Sequence, residues 1–244
     1  MKRFLAVLLV LVCLLPLVAC TQGEPLPEKS AKELIVCAKE KMQTYRSYEL
    51  KGKSTCVRRV GAHILQQTET VQELTADSEG NRYMYDSEQT KSAGSVTGHR
   101  SETTVIGGIA YVSTTAEDGT VSQYRTTPDE VTAYSMDDLL SVVFAADLEG
   151  ATVKAGPSSW RIKIPTTLLS ADMDGFIGKG VSVSGTYTTI VIDASYTVKS
   201  ITTGYDAVSG EMSDAVRMSC SFSRLGYATV KPPADADAYI QIHN

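Results

Sequence analysis

Nucleophiles and metal ligands are the residues of this chain that could do chemistry, and their spacing argues against most of it. The 244 residues include five cysteines, Cys13, Cys20, Cys37, Cys56 and Cys220, and three histidines, His63, His99 and His243. No cysteine pair has zinc-ligand spacing and the histidines stand singly, so the pattern predicts no metal centre. No serine lies in G-x-S-x-G and none sits three residues before a lysine, which leaves nucleophilic catalysis without a local motif. A triad assembled from distant residues would be set by the fold and not by spacing. Asp172-Met173-Asp174-Gly175 has the start of a calcium loop, but Phe176 stands at the fifth position, glycine comes two residues early and Val183 stands where the closing glutamate belongs. Gly175, Gly178 and Gly180 lack the order of a phosphate-binding loop and read as a flap. The expectation is a chain that is not an enzyme and needs no cofactor.

Cys20 is the exception, because of what precedes it. Lys2 and Arg3 give a charged start, Phe4 to Leu15 are twelve uninterrupted apolar residues, and Pro16 ends the run before Leu17-Val18-Ala19-Cys20. This resembles a bacterial lipoprotein leader, with Leu17, Val18 and Ala19 as the peptidase recognition residues. It implies cleavage before Cys20, whose sulfur would carry a diacylglycerol and whose amine an acyl chain. Several chains on one residue hold a protein to a bilayer durably, since each buried methylene adds about 0.8 kcal/mol. The apolar run is shorter than the roughly 20 residues of a spanning helix and contains a proline, so a lipid anchor is favoured over a peptide one. The expected place is the cell membrane, facing outside the cytoplasm.

Removing the first 19 of the 244 residues leaves 225, enough for one large domain, read here as residues 30–244 behind a tether at 20–29. Lys2 and Arg3 leave with the leader, moving the formal net charge from −5 to −7 and making nucleic acid an unsuitable partner. Of the remaining thiols, Cys37, Cys56 and Cys220, the odd count leaves at least one unpaired. A Cys56–Cys220 bridge and three small buried hydrophobes stand as alternatives.

The elements that must carry these residues follow from periodicity. Ser30 and Glu33 form a capping box ahead of an amphipathic helix. From Ser47 the period changes to two, with Tyr48, Leu50, Cys56 and Val60 on one face and Glu49, Lys51, Lys53 and Arg59 on the other. Turns at Gly61-Ala62, Asp77 to Asn81, Ala93-Gly94, Gly107-Gly108 and Asp118-Gly119 divide about six strands before residue 126. Thr127 to Glu130 reads as another capping box, and Ser135 opens an apolar helical insert running through Leu148 to Gly150. Strands resume at Trp160, at 186–193, at 198–206 and with Val216, Met218, Cys220 and Phe222 on one face.

This order, behind its cysteine leader, resembles the superfamily of the lipoprotein carriers LolA and LolB and the lipoproteins of the LppX and LprG type. The residues that carry the likeness are Ala31-Lys32-Glu33-Leu34 leading into Tyr45-Arg46-Ser47-Tyr48, and Val105 to Val112 around Gly107-Gly108. Asp118-Gly119, Ile190 to Asp193 and Val230 to Ala234 complete the set. The resemblance implies an α+β fold: a large curved antiparallel sheet, an incomplete β-barrel of about eleven strands, with an N-terminal helix and a helical insert over its concave face. It also implies an apolar interior that receives acyl chains.

The candidate cavity lining is therefore Tyr48, Leu50, Tyr83, Tyr85, Tyr111, Leu139, Leu140, Val143, Phe144, Trp160, Ile162, Val216, Met218 and Phe222, each of which could equally be packed core. Two functions fit: a tethered protein binding an acyl-chain ligand for transfer or sensing, or an envelope lipoprotein with a packed core that docks a protein partner.

Overall fold

Ser30 opens the first element as its spacing predicts. In the computed structural model, which describes residues 24–131, 135–168 and 182–242, the Ser30 hydroxyl accepts from the Glu33 amide while the Glu33 carboxylate accepts from the Ser30 amide. Helix α1 (Ala31–Met42) buries Leu34, Ile35, Ala38 and Met42, one stripe of the helix. The insert helix α2 (Met136–Phe144) starts with the same reciprocal cap between Ser135 and Asp138 and buries Met136, Leu140 and Val143. It ends at Phe144, short of the expected Gly150. Ala145 and Ala146 close it with turn hydrogen bonds to Ser141 and Val143, and a turn closed by the Ala151 amide donating to the Leu148 carbonyl follows. Thr127 makes no side-chain cap, and the segment after it is only a 3₁₀ turn at Pro128–Glu130.

The strands are β1 (Tyr48–Val60), β2 (His63–Ala76), β3 (Arg82–Ser92), β4 (Ser95–Ile106), β5 (Ile109–Thr115), β6 (Val121–Thr126), β7 (Thr152–Ala155), β8 (Ser159–Ile164), β9 (Ser182–Asp193), β10 (Val198–Ser209), β11 (Met212–Ser223) and β12 (Ile240–Gln241). They form one open, curved sheet in the order β12-β6-β5-β4-β3-β2-β1-β11-β10-β9-β8-β7. That is twelve strands where about eleven are expected, so the chain is mostly β. The additions are short: β7, and β12, which lies parallel to β6 and supplies only Ile240 and Gln241. Two antiparallel meanders, β1 to β6 and β7 to β11, are joined by β1 and β11, registered from Glu49 opposite Ser223 to Val60 opposite Met212.

Register assigns every strand residue to a face. Leu50 sits between Phe222 and Leu74, Leu74 opposite Met84, Cys220 opposite Ile201, Ile201 opposite Ile190 and Ile190 opposite Ile162. These residues pack with Leu34, Met42, Leu140 and Val143 into one core between this inner face and the two helices. Fully burying each Leu or Ile side chain contributes about 1.5–3 kcal/mol.

The segment before α1 is tied down. The Leu26 amide donates to the Gly156 carbonyl at 2.8 Å, and the Trp160 indole N–H donates to the Pro27 carbonyl at 2.9 Å. The expected tether is therefore fixed from Leu26 onward to the β7–β8 turn. Among the described residues no helix is long and apolar enough to cross a membrane. Leu17, Val18, Ala19 and Cys20 lie outside the described residues, as do Asp172 to Gly180.

Candidate ligand cleft

Helix α2 does not lie flush on the sheet. Its amino end is fastened by Tyr48, whose hydroxyl accepts from the otherwise unpaired Met136 amide at 3.1 Å. Burial raises the Tyr48 phenol above its ordinary value, with the Met136 bond opposing. On one side of this fastening is a cleft of about 460 Å³, between Ser135, Asp138 and Leu139 of α2 and a floor of Leu50, Gly52, Ser54, Thr70, Gln72, Met218 and Cys220. On the other is a more open groove of about 760 Å³, whose lining includes Met42, Tyr48, Leu140 and Phe144 with Lys39, Arg46 and Arg82. Both volumes fall within the several hundred Å³ usual for small-molecule sites.

The smaller cleft exists because of its floor. Gly52 points toward α2, in register with Cys220 and Gln72, and has no side chain to fill the space. A Cβ placed there meets only Gln72, at 3.8 Å. Leu50, Leu139 and Met218 give the cleft an apolar lining, with Ser54, Thr70 and Gln72 at its far end. Burial pushes the Cys220 thiol up to about 12, which keeps it protonated and inert as a nucleophile.

The fourteen predicted lining residues separate into five groups. Leu50, Leu139 and Met218 line the smaller cleft, and Tyr48, Leu140 and Phe144 line the groove. Val143, Trp160, Ile162 and Phe222 are sealed in the core, with Trp160 stacked on Tyr196 at 5.4 Å between ring centroids. Val216 is on the inner face, half-buried, where it pairs with Cys56 beyond the reach of α2. Tyr83, Tyr85 and Tyr111 are corrected: they stand on the outer face, because Met84 between the first two pairs with Leu74 and forces its neighbours outward. Tyr111 instead meets Tyr239 edge to face at 5.5 Å.

The proposed Cys56–Cys220 bridge is absent, and both thiols are free. The two cysteines share a face, but Cys220 lies opposite Gly52, four residues along β1 from Cys56. That is about 13 Å at the strand rise, beyond the roughly 7 Å a disulfide spans. Sequence reasoning missed Gly52, Ser54, Thr70 and Gln72. A glycine within a strand is a sign of close approach or of a ligand, and Gly52 was legible on that ground.

Past the cleft the inner face turns polar. Arg58 donates twice to Asp214, at 2.9 and 2.7 Å, and Thr68 and Thr90 exchange a 3.1 Å hydrogen bond. The Asp214 bond and charge hold the Arg58 guanidinium firmly protonated. Among the described residues no three His, Cys, Asp or Glu side chains are grouped to hold a metal.

No family model matches the chain, and no curated protein matches it. Among solved structures it is similar to LprF from Mycobacterium bovis, at 16% identity over 86% of this chain and 99% of that one, with a TM-score of 0.40. It is also similar to a DUF1329 family protein from Desulfovibrio piger, at 8% identity over 85% and 95% of the two chains with a TM-score of 0.24. A porin-like protein from Bacteroides uniformis follows, at 13% identity over 71% and 95% with a TM-score of 0.25. Likeness at these scores carries no argument about what the chain binds.

Proposed function

We propose that the chain is a membrane-anchored, extracytoplasmic binding protein, not an enzyme, whose cleft beside α2 takes up an acyl chain of a lipid for transfer or sensing. The lipid on Cys20 would hold it at the membrane. The single observation that supports this reading is the cleft of about 460 Å³ over Gly52, apolar at Leu50, Leu139 and Met218, with Lys53 and Asp138 as the charged residues of its lining. Its driving force would be apolar area leaving water, about 25 cal/mol per Å², so affinity needs no ionic contact.

Native mass spectrometry of the purified chain tests it. A co-purifying or added phospholipid is expected on the wild type and lost in Gly52→Leu, whose larger side chain fills the cleft while the unfolding midpoint in urea holds. A clean apo mass after incubation with phospholipid defeats the reading.

The sealed positions of Val143, Trp160, Ile162 and Phe222 favour a second reading, in which the body is a packed scaffold whose surface docks another envelope protein. A lipid-free wild type of unchanged stability is the outcome that selects it.

A further inference from the structure

The edge of the sheet where the chain enters the domain carries a charge pattern unlike the rest of the molecule. On β8, Trp160, Ile162 and Ile164 are buried in the core, so Arg161 and Lys163 project from the outer face. Lys154 of β7 pairs with Arg161, and Lys199 stands at the register shift where β10 meets β9. All four cations are exposed, and none forms an ion pair among the described residues. The ion pairs that do form involve other residues, as with Lys51–Glu73, Lys53–Glu69 and, farther along β10, Arg217–Asp206. The acid nearest in register, Asp193, accepts from Ser195 and Thr197 of its own turn and also feels the charge of Lys199, without a salt bridge between them. The chain as a whole has a formal net charge of −5, and the exposed acids closest along the chain, Glu28 of the strap and Glu149 before β7, are not on these strands.

The same edge holds the leash. Leu26 and Pro27 are bonded to Gly156 and Trp160, one residue from Arg161. Only Thr21 to Pro25 then separate the fixed strap from Cys20, a reach of about 20 Å at most for a fully extended chain.

We propose that the outer face of β7 and β8, with Lys154, Arg161, Lys163 and Lys199, docks on the anionic headgroups of the membrane that holds the lipid of Cys20. The inference rests on the lipid-anchor part of the proposed function and is independent of whether the cleft binds anything. Four cations held within a short leash of an anionic surface meet it at high local concentration, and each contributes through the surface potential of the leaflet. The β10–β11 hairpin, with exposed Val208 and Met212, is at the other end of strands about 40 Å long and is held away from that surface.

The test uses the full acylated chain in vesicles of phosphatidylcholine alone or mixed with phosphatidylglycerol, in a Cys37→Ser, Cys56→Ser background. A donor fluorophore is placed at Thr152→Cys, opposite Lys163, or at Ser209→Cys on the distal hairpin, with an acceptor on the lipid headgroup. Flotation with neutral vesicles reports the anchor separately, and a chain that fails to float overturns the premise and the docking together. With the anchor intact, transfer from residue 152 is expected to exceed that from residue 209 several-fold on anionic vesicles and to fall in high salt. Replacing all four cations with glutamine should lower the docked-to-free ratio by about a hundredfold or more, since each cation near such a surface is worth roughly fivefold. Equal transfer from both positions, or no response to the glutamine variant, overturns the proposal.

Discussion

The inner face of the sheet is two surfaces carried by the same strands. Toward the start of β1 it reads Leu50, Leu74, Met84, Ile190, Ile201 and Phe222 and is roofed by α1 and α2. Toward the far ends of those strands, past Ser54 and Thr70 at the edge of α2, it reads Cys56, Arg58, Thr68, Thr90 and Asp214. The pleat puts both sets on one side, so alternation alone reports the face and not how far the roof extends. What changes along the strand is side-chain chemistry. Where helices exclude water the residues are aliphatic, and where water reaches the sheet hydroxyls and an Arg58–Asp214 pair take over. The cleft over Gly52 lies at the seam between the two.

The comparison breaks most readily by truncation. Ile190→Ala under the roof is expected to cost about 2–5 kcal/mol of unfolding free energy, whereas Val216→Ala, on the open half of the same face, should cost under about 1 kcal/mol. Urea denaturation of the two variants measures this, and equal losses would mean that the open half is as tightly packed as the roofed one. A smaller effect comes from the fastening between them. Tyr48→Phe leaves the Met136 amide without its acceptor, so a loss of about 1 kcal/mol is expected, with faster amide exchange confined to the start of α2.

The two thiols sharpen the contrast at still lower energy. Cys220, buried under the roof, has its pKa raised from 9.0 to about 12 by burial, and Cys56, half-buried on the open half, is raised by burial and the Asp214 charge with Arg58 opposing. Near pH 9 an alkylating reagent should therefore modify Cys56 well before Cys220, as peptide mass mapping would show; the reverse order would contradict the placement. The sign of the stability effect follows. The unfolded thiol ionises near 9 while the folded one stays protonated, so the contribution is whole below pH 9 and lost as pH rises toward 12.

Much of this arrangement was legible in the chain. Ser30 with Glu33, and Ser135, announced the starts of α1 and α2, because a cap is a local hydrogen-bond pattern that needs no distant partner. The turns up to Asp118-Gly119 gave the first six strands for the same reason. Tyr83 and Tyr85 were placed on the wrong face because β3 carries aromatic residues at one parity and Met84 at the other, and only pairing with Leu74 decides between them. β7 and β12 are too short to show a period, and the depth of Trp160 depends on Pro27, which sequence places far away. The cleft was passed over although its sign was in the chain: Gly52 inside a strand marks a close approach or a ligand, but it adds no side chain to a periodicity count.

The sheet never closes, and that leaves it with two margins. One is the four-residue β7 and the other is β6, partly shielded by the two residues of β12. A neighbour seeking to extend the ladder would find little ribbon on either flank. Crowded side by side, copies of this chain are therefore built to stay separate instead of zipping into filaments.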